Sequence, residues 1–384
     1  MFRHGSPRVG VIGGGQLAWM LGLAAQSLGY DLWVQTPKSS DPAVAIATGT
    51  ILAPIADATA TAQLAKHCDV ITFENEFVNL PQLQHLADQG VNFAPRLETL
   101  APLLDKYDQR CYLQSIGLPT PKFCLLTQAH TGDFNNPWGF PVVLKARRQG
   151  YDGRGTCILE TPEALNHALE NQNPEDFLLE EFIPFDRELA VMIARSPSGE
   201  ISLYPVVETQ QENQVCHRVI APAPISEPLK RSVQQFAQTF IEQLNGVGIF
   251  GLEFFLTPDD RILVNEVAPR THNSGHYTIE GCHTSQFAQQ LRAVLNLPLG
   301  SSDLKHRSAV MINLLGYESA TCNYVEQRQK LAQIPHSTLH WYGKTQAHPG
   351  RKLGHITIVS DQDSDRLDVS ALQDQVMKVW QAFQ

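Results

Sequence analysis

Apolar residues fall along this chain in two rhythms. Short apolar runs bounded by Gly, Pro, Asn or Asp recur at 8–12, 31–35, 70–73, 141–145, 156–159, 177–183, 187–193, 202–207, 309–315 and 356–359, and predict β-strands. Between them, apolar positions spaced three and four apart predict helices over 16–26, 103–113, 161–168, 229–244, 286–295 and 369–382. Strand and helix alternate over the first hundred residues, as in a Rossmann-like unit. Leu118-Pro-Thr-Pro121 and Asn296-Leu-Pro-Leu-Gly300 punctuate the remainder. The chain therefore reads as an α/β protein in three parts: 1–104, 105–298 with a lid subdomain at about 120–180, and a small α/β segment at 299–384.

One further pair of apolar runs carries charge. Gly251-Leu-Glu-Phe-Phe-Leu256 and Leu263-Val-Asn-Glu-Val-Ala268 flank the turn Thr257-Pro-Asp-Asp260 and read as a hairpin. If Leu256 pairs with Arg261, Glu253 faces Val264, and Glu266 lies two residues further along the same face. A two-residue turn at Asp259-Asp260 sets Glu253 directly opposite Glu266. Only an odd-length turn separates the carboxylates, because side chains repeat every two residues. Two carboxylates on an apolar hairpin repel. Either they form a solvated edge, or a hard cation bridges them. Mg²⁺ takes one or two protein carboxylates and fills its shell with phosphate oxygens and water. The loop that follows, Arg270-Thr-His-Asn-Ser-Gly-His276, offers one fixed cation and several neutral donors, which suits a small oxyanion.

Composition narrows the chemistry. At 384 residues and 43% hydrophobic, the chain has material for an ample core, and a net charge of −10 argues against general nucleic-acid binding. No secretory segment or membrane-spanning run is apparent, and seven scattered cysteines without a Cys-x-x-Cys pair suit reduced thiols in a cytoplasmic protein. Gly13-x-Gly15-x-x-Ala18 fits the dinucleotide fingerprint, whose small residues let a phosphate approach a helix N-terminus. The next strand ends in Gln35-Thr36-Pro37, without the acid that binds ribose, so the loop reads as a phosphate or anion site and the nicotinamide reading is opposed. Glu74-Asn-Glu76 closes a strand where α/β folds bind ligands or cap helices. Lys145 precedes the loop Arg147-Arg-Gln-Gly-Tyr-Asp-Gly-Arg-Gly155, whose glycines and arginines suit a lid over polyphosphate.

A Rossmann-like start, a lysine strand with a Gly-rich lid and a two-carboxylate hairpin, in that order, resemble the ATP-grasp ligases. Ile12-Gly-Gly-Gly-Gln-Leu17, the 147–155 loop, Asn265-Glu-Val-Ala-Pro-Arg-Thr-His-Asn-Ser-Gly-His-Tyr-Thr278 and Gly350-Arg-Lys-Leu-Gly-His355 are similar, in particular, to the 5-(carboxyamino)imidazole ribonucleotide synthase family. The resemblance implies an ATP-grasp fold with a Rossmann-like first domain and a small C-terminal α/β domain. It implies a Mg²⁺- (or Mn²⁺-) and ATP-dependent ligase of purine biosynthesis that joins bicarbonate to the amine of 5-aminoimidazole ribonucleotide through carboxyphosphate. It also implies a homodimer and a separate downstream mutase.

Position by position, the resemblance assigns Lys106 and Lys145 to ATP phosphates, and Gly150, Tyr151, Asp152, Gly153, Arg154, Gly155 and Thr156 to their cover. Glu180, Glu181, Phe182 and Ile183 would form the adenine hinge, Glu188 would hold ribose, and Asn265 would lie beside the nucleotide. Glu253 and Glu266 would bind the metal. Strand alternation turns Asn265 away from Glu266, so a bulge is needed for both to face the site. Arg270, His272 and Asn273 would hold bicarbonate and then carboxyphosphate, with Asp152 orienting the amine. The ribonucleotide would meet Gly15, Gln16, Leu17, Lys344 and Arg351 through its phosphate, and Glu76, Tyr151, Asp152 and Arg154 through its ring.

Two positions depart from the family pattern: Lys106 stands where arginine is usual, and Gln211 is the nearest match to a missing nucleotide-site histidine. A related ATP-grasp enzyme, such as formate-dependent glycinamide ribonucleotide transformylase, is the competing reading. The lid's Tyr151-Asp152 and the Arg270-x-His272-Asn273 loop oppose it. His276 and His355 read as structural histidines.

Overall fold

The structure, a computed structural model, describes residues 6–126, 138–148, 150, 155–212 and 214–381. A parallel sheet of four strands opens the chain, in the order Gly49–Leu52, Asp31–Thr36, Arg8–Ile12, Val70–Phe73. Its central strand buries Val9, Val11 and Ile12, as a strand covered on both faces must. Helix Gln16–Leu28 lays Leu17, Ala18, Met20, Leu21 and Ala25 on that core and ends at Gly29, whose φ of 76° gives the left-handed cap.

The second part is built from two sheets. Strands Phe123–Leu125, Phe177–Glu181, Val142–Ala146 and Thr156–Leu159 form a small antiparallel sheet. Facing it is the main sheet, which runs Ile262–Ala268, Gly248–Leu256, Arg187–Arg195, Val207–Glu212, Val215–Ala221, Ser308–Leu315, Lys352–Ser360, Ser337–Trp341. The apolar face of helix Glu227–Leu244 (Val233, Ala237, Phe240 and Ile241) packs on Phe250 and Phe254 of this sheet. The strand expected at 202–207 is two strands, Ile201–Leu203 and Val207–Glu212, separated by Pro205. Val215–Ala221 and Ser337–Trp341 had no clear apolar run to announce them. The last three strands of the main sheet belong to the C-terminal segment, which extends that sheet and adds a two-stranded sheet of its own, Ala320–Thr321 with Gln346–Ala347.

A buried helix joins the units. Gln286–Val294 places Phe287, Leu291 and Val294 in one core with Val9, Leu21 and Val34 of the first sheet. From the same helix, Gln290 accepts from the Ile249 N–H at 2.6 Å and donates to Thr72 Oγ1 at 2.7 Å, pinning one sheet to the other. Among the described residues, no helix is long and apolar enough to cross a membrane.

The charged hairpin departs from both registers expected for it. Leu256 pairs with Ile262, the odd-length connection that should separate Glu253 from Glu266. A second irregularity reverses this. Phe254 pairs with Val264, but Glu253 pairs with Glu266, so Asn265 is the extra residue of a β-bulge. The connection shifts the register by one and the bulge shifts it again, leaving the two carboxylates directly opposed.

Candidate active site

Between the two sheets lies a cleft of about 1310 Å³, more than a single drug-sized ligand occupies. Its lining takes in Gln16, Leu17, Glu76, Lys106, Lys145, Gly150, Thr156, Glu180, Glu181, Phe182, Ile183, Glu188, Gln211, Glu253, Asn265, Glu266, Arg270, His272 and Asn273. Of the residues singled out in the sequence, Gly15, Gly155, Lys344 and Arg351 are not part of this lining. Tyr151, Asp152, Gly153 and Arg154 lie outside the described residues.

The nucleotide end is a charge network. Glu180 is 2% exposed and bonds Arg110 Nε at 2.5 Å and Lys145 Nζ at 2.7 Å. Burial would raise its carboxyl, but Arg110 and Lys145 outweigh burial and hold it at about 2. Burial pulls Lys145 below the usual lysine range, against Glu180. Lys145 also donates to Asn265 Oδ1 at 3.2 Å. The Glu180 side chain thus belongs to the lysine, and Glu181 is engaged as well, accepting from the Lys122 N–H at 2.8 Å. At the rim, the rings of Phe185 and Phe255 stack 4.6 Å apart.

The opposed carboxylates differ. Burial and Glu266 push Glu253 up to about 7. Burial would raise Glu266 too, but Lys106, whose Nζ lies 2.7 Å away, holds it near 2. Glu188 rises to about 8 through burial and the Glu253 charge. Among the described residues, no cluster of three or more His, Cys, Asp or Glu could hold a metal unaided. Two hard oxygen donors face to face therefore fit an ion that draws its other ligands from phosphate and water.

Beyond the hairpin, Arg270 Nε lies 2.8 Å from Glu76 Oε1. Burial disfavours the guanidinium charge, but Glu76 more than restores it. Gln286, fully buried, accepts from the His272 N–H at 2.9 Å and donates to the His272 carbonyl at 2.7 Å. His272 Nδ1 meets Ser274 Oγ at 2.9 Å, and its Nε2 is 3.6 Å from Glu253. Asn273 exchanges amide hydrogen bonds with Asn313. His276 is buried beside Gln286 and His355, in keeping with a structural role.

The Gly-rich loop holds an anion of its own. Glu74 accepts from the N–H groups of Gly15 at 2.6 Å, Leu17 at 3.0 Å and Ala18 at 3.3 Å. A Cβ on Gly15 would sit 2.6 Å from Glu74 Oε1, so a side chain there would have to displace the chain's own carboxylate. Burial pushes Glu74 above the usual range, against those three donors. The Gly15 and Leu17 amides, expected to meet a ligand phosphate, are in contact with Glu74 instead. Gln16 does reach the C-terminal segment: Lys344 Nζ donates to its Oε1 at 2.7 Å. Arg351 donates to the Gln346 carbonyl at 2.6 Å.

Sequence reasoning overlooked Arg110, Gln286 and Asn313, and named Glu74 without its place under the Gly-rich loop. Arg110 sits one helical turn after Lys106, the one signal available for it. Lys352, part of the 350–355 motif but given no role there, lines the cleft.

Three family descriptions match the chain: a ribonucleotide synthetase preATP-grasp domain over 7–102, an ATP-grasp domain over 111–287, and a phosphoribosylaminoimidazole carboxylase C-terminal domain over 309–368. The chain is 57% identical to the N5-carboxyaminoimidazole ribonucleotide synthase of Synechococcus elongatus, over 91% of this chain and 89% of that one. It is 52% identical to the enzyme of the same name from Synechocystis, over 97% and 96%. An N5-carboxyaminoimidazole synthase from Aspergillus clavatus, solved with ADP and 5-aminoimidazole ribonucleotide, superposes with a TM-score of 0.88 at 32% identity, covering 98% of this chain and 99% of that one.

Proposed function

The chain belongs to the N5-carboxyaminoimidazole ribonucleotide synthase family of ATP-grasp enzymes, and we propose that it performs the corresponding reaction. ATP and bicarbonate carboxylate the exocyclic amine of 5-aminoimidazole ribonucleotide, giving 5-carboxyaminoimidazole ribonucleotide, ADP and phosphate in purine biosynthesis. The observation that carries this reading is one cleft in which a buried lysine, two opposed carboxylates and the Arg270–Asn273 loop converge.

Lys145, fixed by Glu180 and Asn265, meets the ATP phosphates. Lys106 leaves Glu266 to join it as the nucleotide enters. Glu253 and Glu266 would hold Mg²⁺, which would offset the charge of the transferring phosphoryl group. Arg270, oriented by Glu76, and the donors of His272 and Asn273 bind bicarbonate beside the γ-phosphate. A bicarbonate oxygen attacks the γ-phosphorus, ADP leaves, and carboxyphosphate forms. It breaks to CO₂ and phosphate, and the ribonucleotide amine adds to the CO₂ carbon and loses a proton. Water would destroy carboxyphosphate, so the reaction needs a covered site, a role the family resemblance gives to the 150–156 segment, with Asp152 orienting the amine. Gln16, Lys344 and Arg351 take the ribonucleotide phosphate. A homodimer in the cytoplasm, supplying a separate mutase, completes the reading.

The test is ADP release by the purified protein with MgATP and bicarbonate, with and without 5-aminoimidazole ribonucleotide. Strong stimulation and an acid-labile carboxylated product are expected. Release indifferent to the ribonucleotide, or formate replacing bicarbonate, would overturn the acceptor or the acid.

A further inference from the structure

Residues 273–281 are helical, a 3-10 turn at Asn273–Gly275 leading into Thr278–Gly281. Positions 273, 276 and 280 fall on one face of this segment. That face lies on a row of cross-strand partners from the C-terminal segment: Asn313 beside His355, and His355 beside His340. Each position meets one member of the row. Asn273 and Asn313 exchange amide hydrogen bonds of 3.1 and 2.8 Å. The rings of His276 and His355 lie 5.0 Å apart, and His340 Nε2 is 2.8 Å from Glu280 Oε1. The C-terminal strands therefore grip the loop through one ring contact and two polar pairs, and a polar pair fixes an orientation that an apolar contact would leave free.

The first pair bears on the chemistry. The main-chain oxygen of Cys216 can only accept, and it lies 2.8 Å from Asn313 Nδ2. This sets the Asn313 amide with its nitrogen toward Cys216. The second N–H of that nitrogen then donates to Asn273 Oδ1, and Asn313 Oδ1 receives Asn273 Nδ2. Asn273 lines the cleft, and its oxygen is committed to Asn313, leaving one N–H for a ligand. An amide without this partner could turn its oxygen toward the cleft, where it would repel an anion.

We propose that Asn313 is a positioning residue for carboxylation: it locks the Asn273 amide so that an N–H, and not the C=O, faces the bicarbonate-derived group. This rests on reading the Arg270–Asn273 loop as the bicarbonate pocket. Asn313 is 2% exposed and touches the loop from a different part of the chain.

A double-mutant cycle on the full-length protein tests it. Asn313→Ala should raise the Michaelis constant for bicarbonate about tenfold while leaving that for ATP within about twofold. Asn273→Ala should cost at least as much, and the double variant no more than Asn273→Ala alone, because one residue acts through the other. Asn313→Leu, which keeps the volume but no hydrogen bond, should behave as the alanine variant does, and ADP binding should persist in both. Additive losses, or a normal bicarbonate constant in Asn313→Ala beside an impaired Asn273→Ala, would overturn the positioning role alone. Loss of ADP binding in both Asn313 variants would also overturn it, showing that the residue holds the fold. A normal bicarbonate constant in Asn273→Ala would sink the pocket itself, and the proposal with it.

Discussion

At the scale of single residues, the cleft is governed by acids, several of them paired with cations. Glu180 lies between Arg110 and Lys145, and removing one cation leaves a buried charge undercompensated. Arg110→Ala should therefore cost about 3 kcal/mol in urea unfolding. The pH dependence has a definite sign. The Glu180 carboxyl is depressed from an ordinary 4.5 to about 2, so its contribution is complete above the unfolded value and is lost as pH falls through 4.5 toward 2. Glu180→Gln should flatten the acid limb of stability against pH; an unchanged limb would deny the carboxylate that role. Lys106 makes a different kind of pair, at the half-exposed Glu266. Lys106→Ala should raise the Michaelis constant for ATP about tenfold, whereas Lys106→Arg, with its bidentate fork, should match or improve on lysine. Lys145, Glu253 and Glu266 were legible in the sequence because each is a charge set in an apolar run, whereas Lys106 came from the family resemblance alone. Arg110 and the contact of Glu74 with the Gly-rich loop were not, because their partners stand 70 and 59 residues away. The glycine fingerprint was legible as a motif, but its partner within the chain was not. Its glycines admit Glu74, which no local pattern can reveal.

At the scale of elements, the hairpin shows how sequence logic can reach the right face by the wrong route. Period-two counting placed Glu253 and Glu266 together and called for a bulge to bring in Asn265; it did not foresee that an odd connection makes the same bulge necessary for Glu266 as well. The bulge is thus the device that lets consecutive residues Asn265 and Glu266 both serve the cleft, one touching Lys145 and the other Lys106. Deleting Asn265 should restore a regular ladder from the connection onward, with Glu253 still facing the glutamate. Metal dependence of turnover should survive this deletion, while the Michaelis constant for ATP rises about tenfold for loss of one polar contact to a charged group. A deletion variant that loses its response to Mg²⁺ would show that the bulge, and not mere opposition, builds the metal site. The strands that were missed are explained at this scale too. Val215–Ala221 and Ser337–Trp341 carry polar residues on partly buried faces, so their pairing comes from neighbours distant in sequence and not from an apolar pattern of their own.

At the scale of the whole molecule, the cleft is walled by all three parts of the chain, and polar, buried or part-buried joints tie these parts together. Gln290 ties the first sheet to the main sheet, Asn313 ties the C-terminal strands to the loop after the hairpin, and Lys344 ties the C-terminal segment to Gln16. Lys344 is the joint nearest the Gly-rich loop. Its Nζ bonds Gln16 Oε1 at 2.7 Å and the Lys352 carbonyl at 2.9 Å, and lies 5.4 Å from the centroid of the Tyr342 ring. With the helix N-terminus already occupied by Glu74, a ribonucleotide phosphate at this end of the cleft depends on side-chain cations more than on backbone amides. Lys344→Ala should then raise the Michaelis constant for 5-aminoimidazole ribonucleotide by about tenfold or more, with that for ATP nearly unchanged, because the nucleotide end rests on Lys145 and the hairpin. Glu74→Gln separates the two sources of phosphate binding. It keeps an acceptor for the loop but removes the negative charge. If the amides were the phosphate site, it should tighten the ribonucleotide, and if Lys344 carries the phosphate it should change that constant little. Equal losses for both substrates in Lys344→Ala would mean that the lysine is a joint between the domains and nothing more.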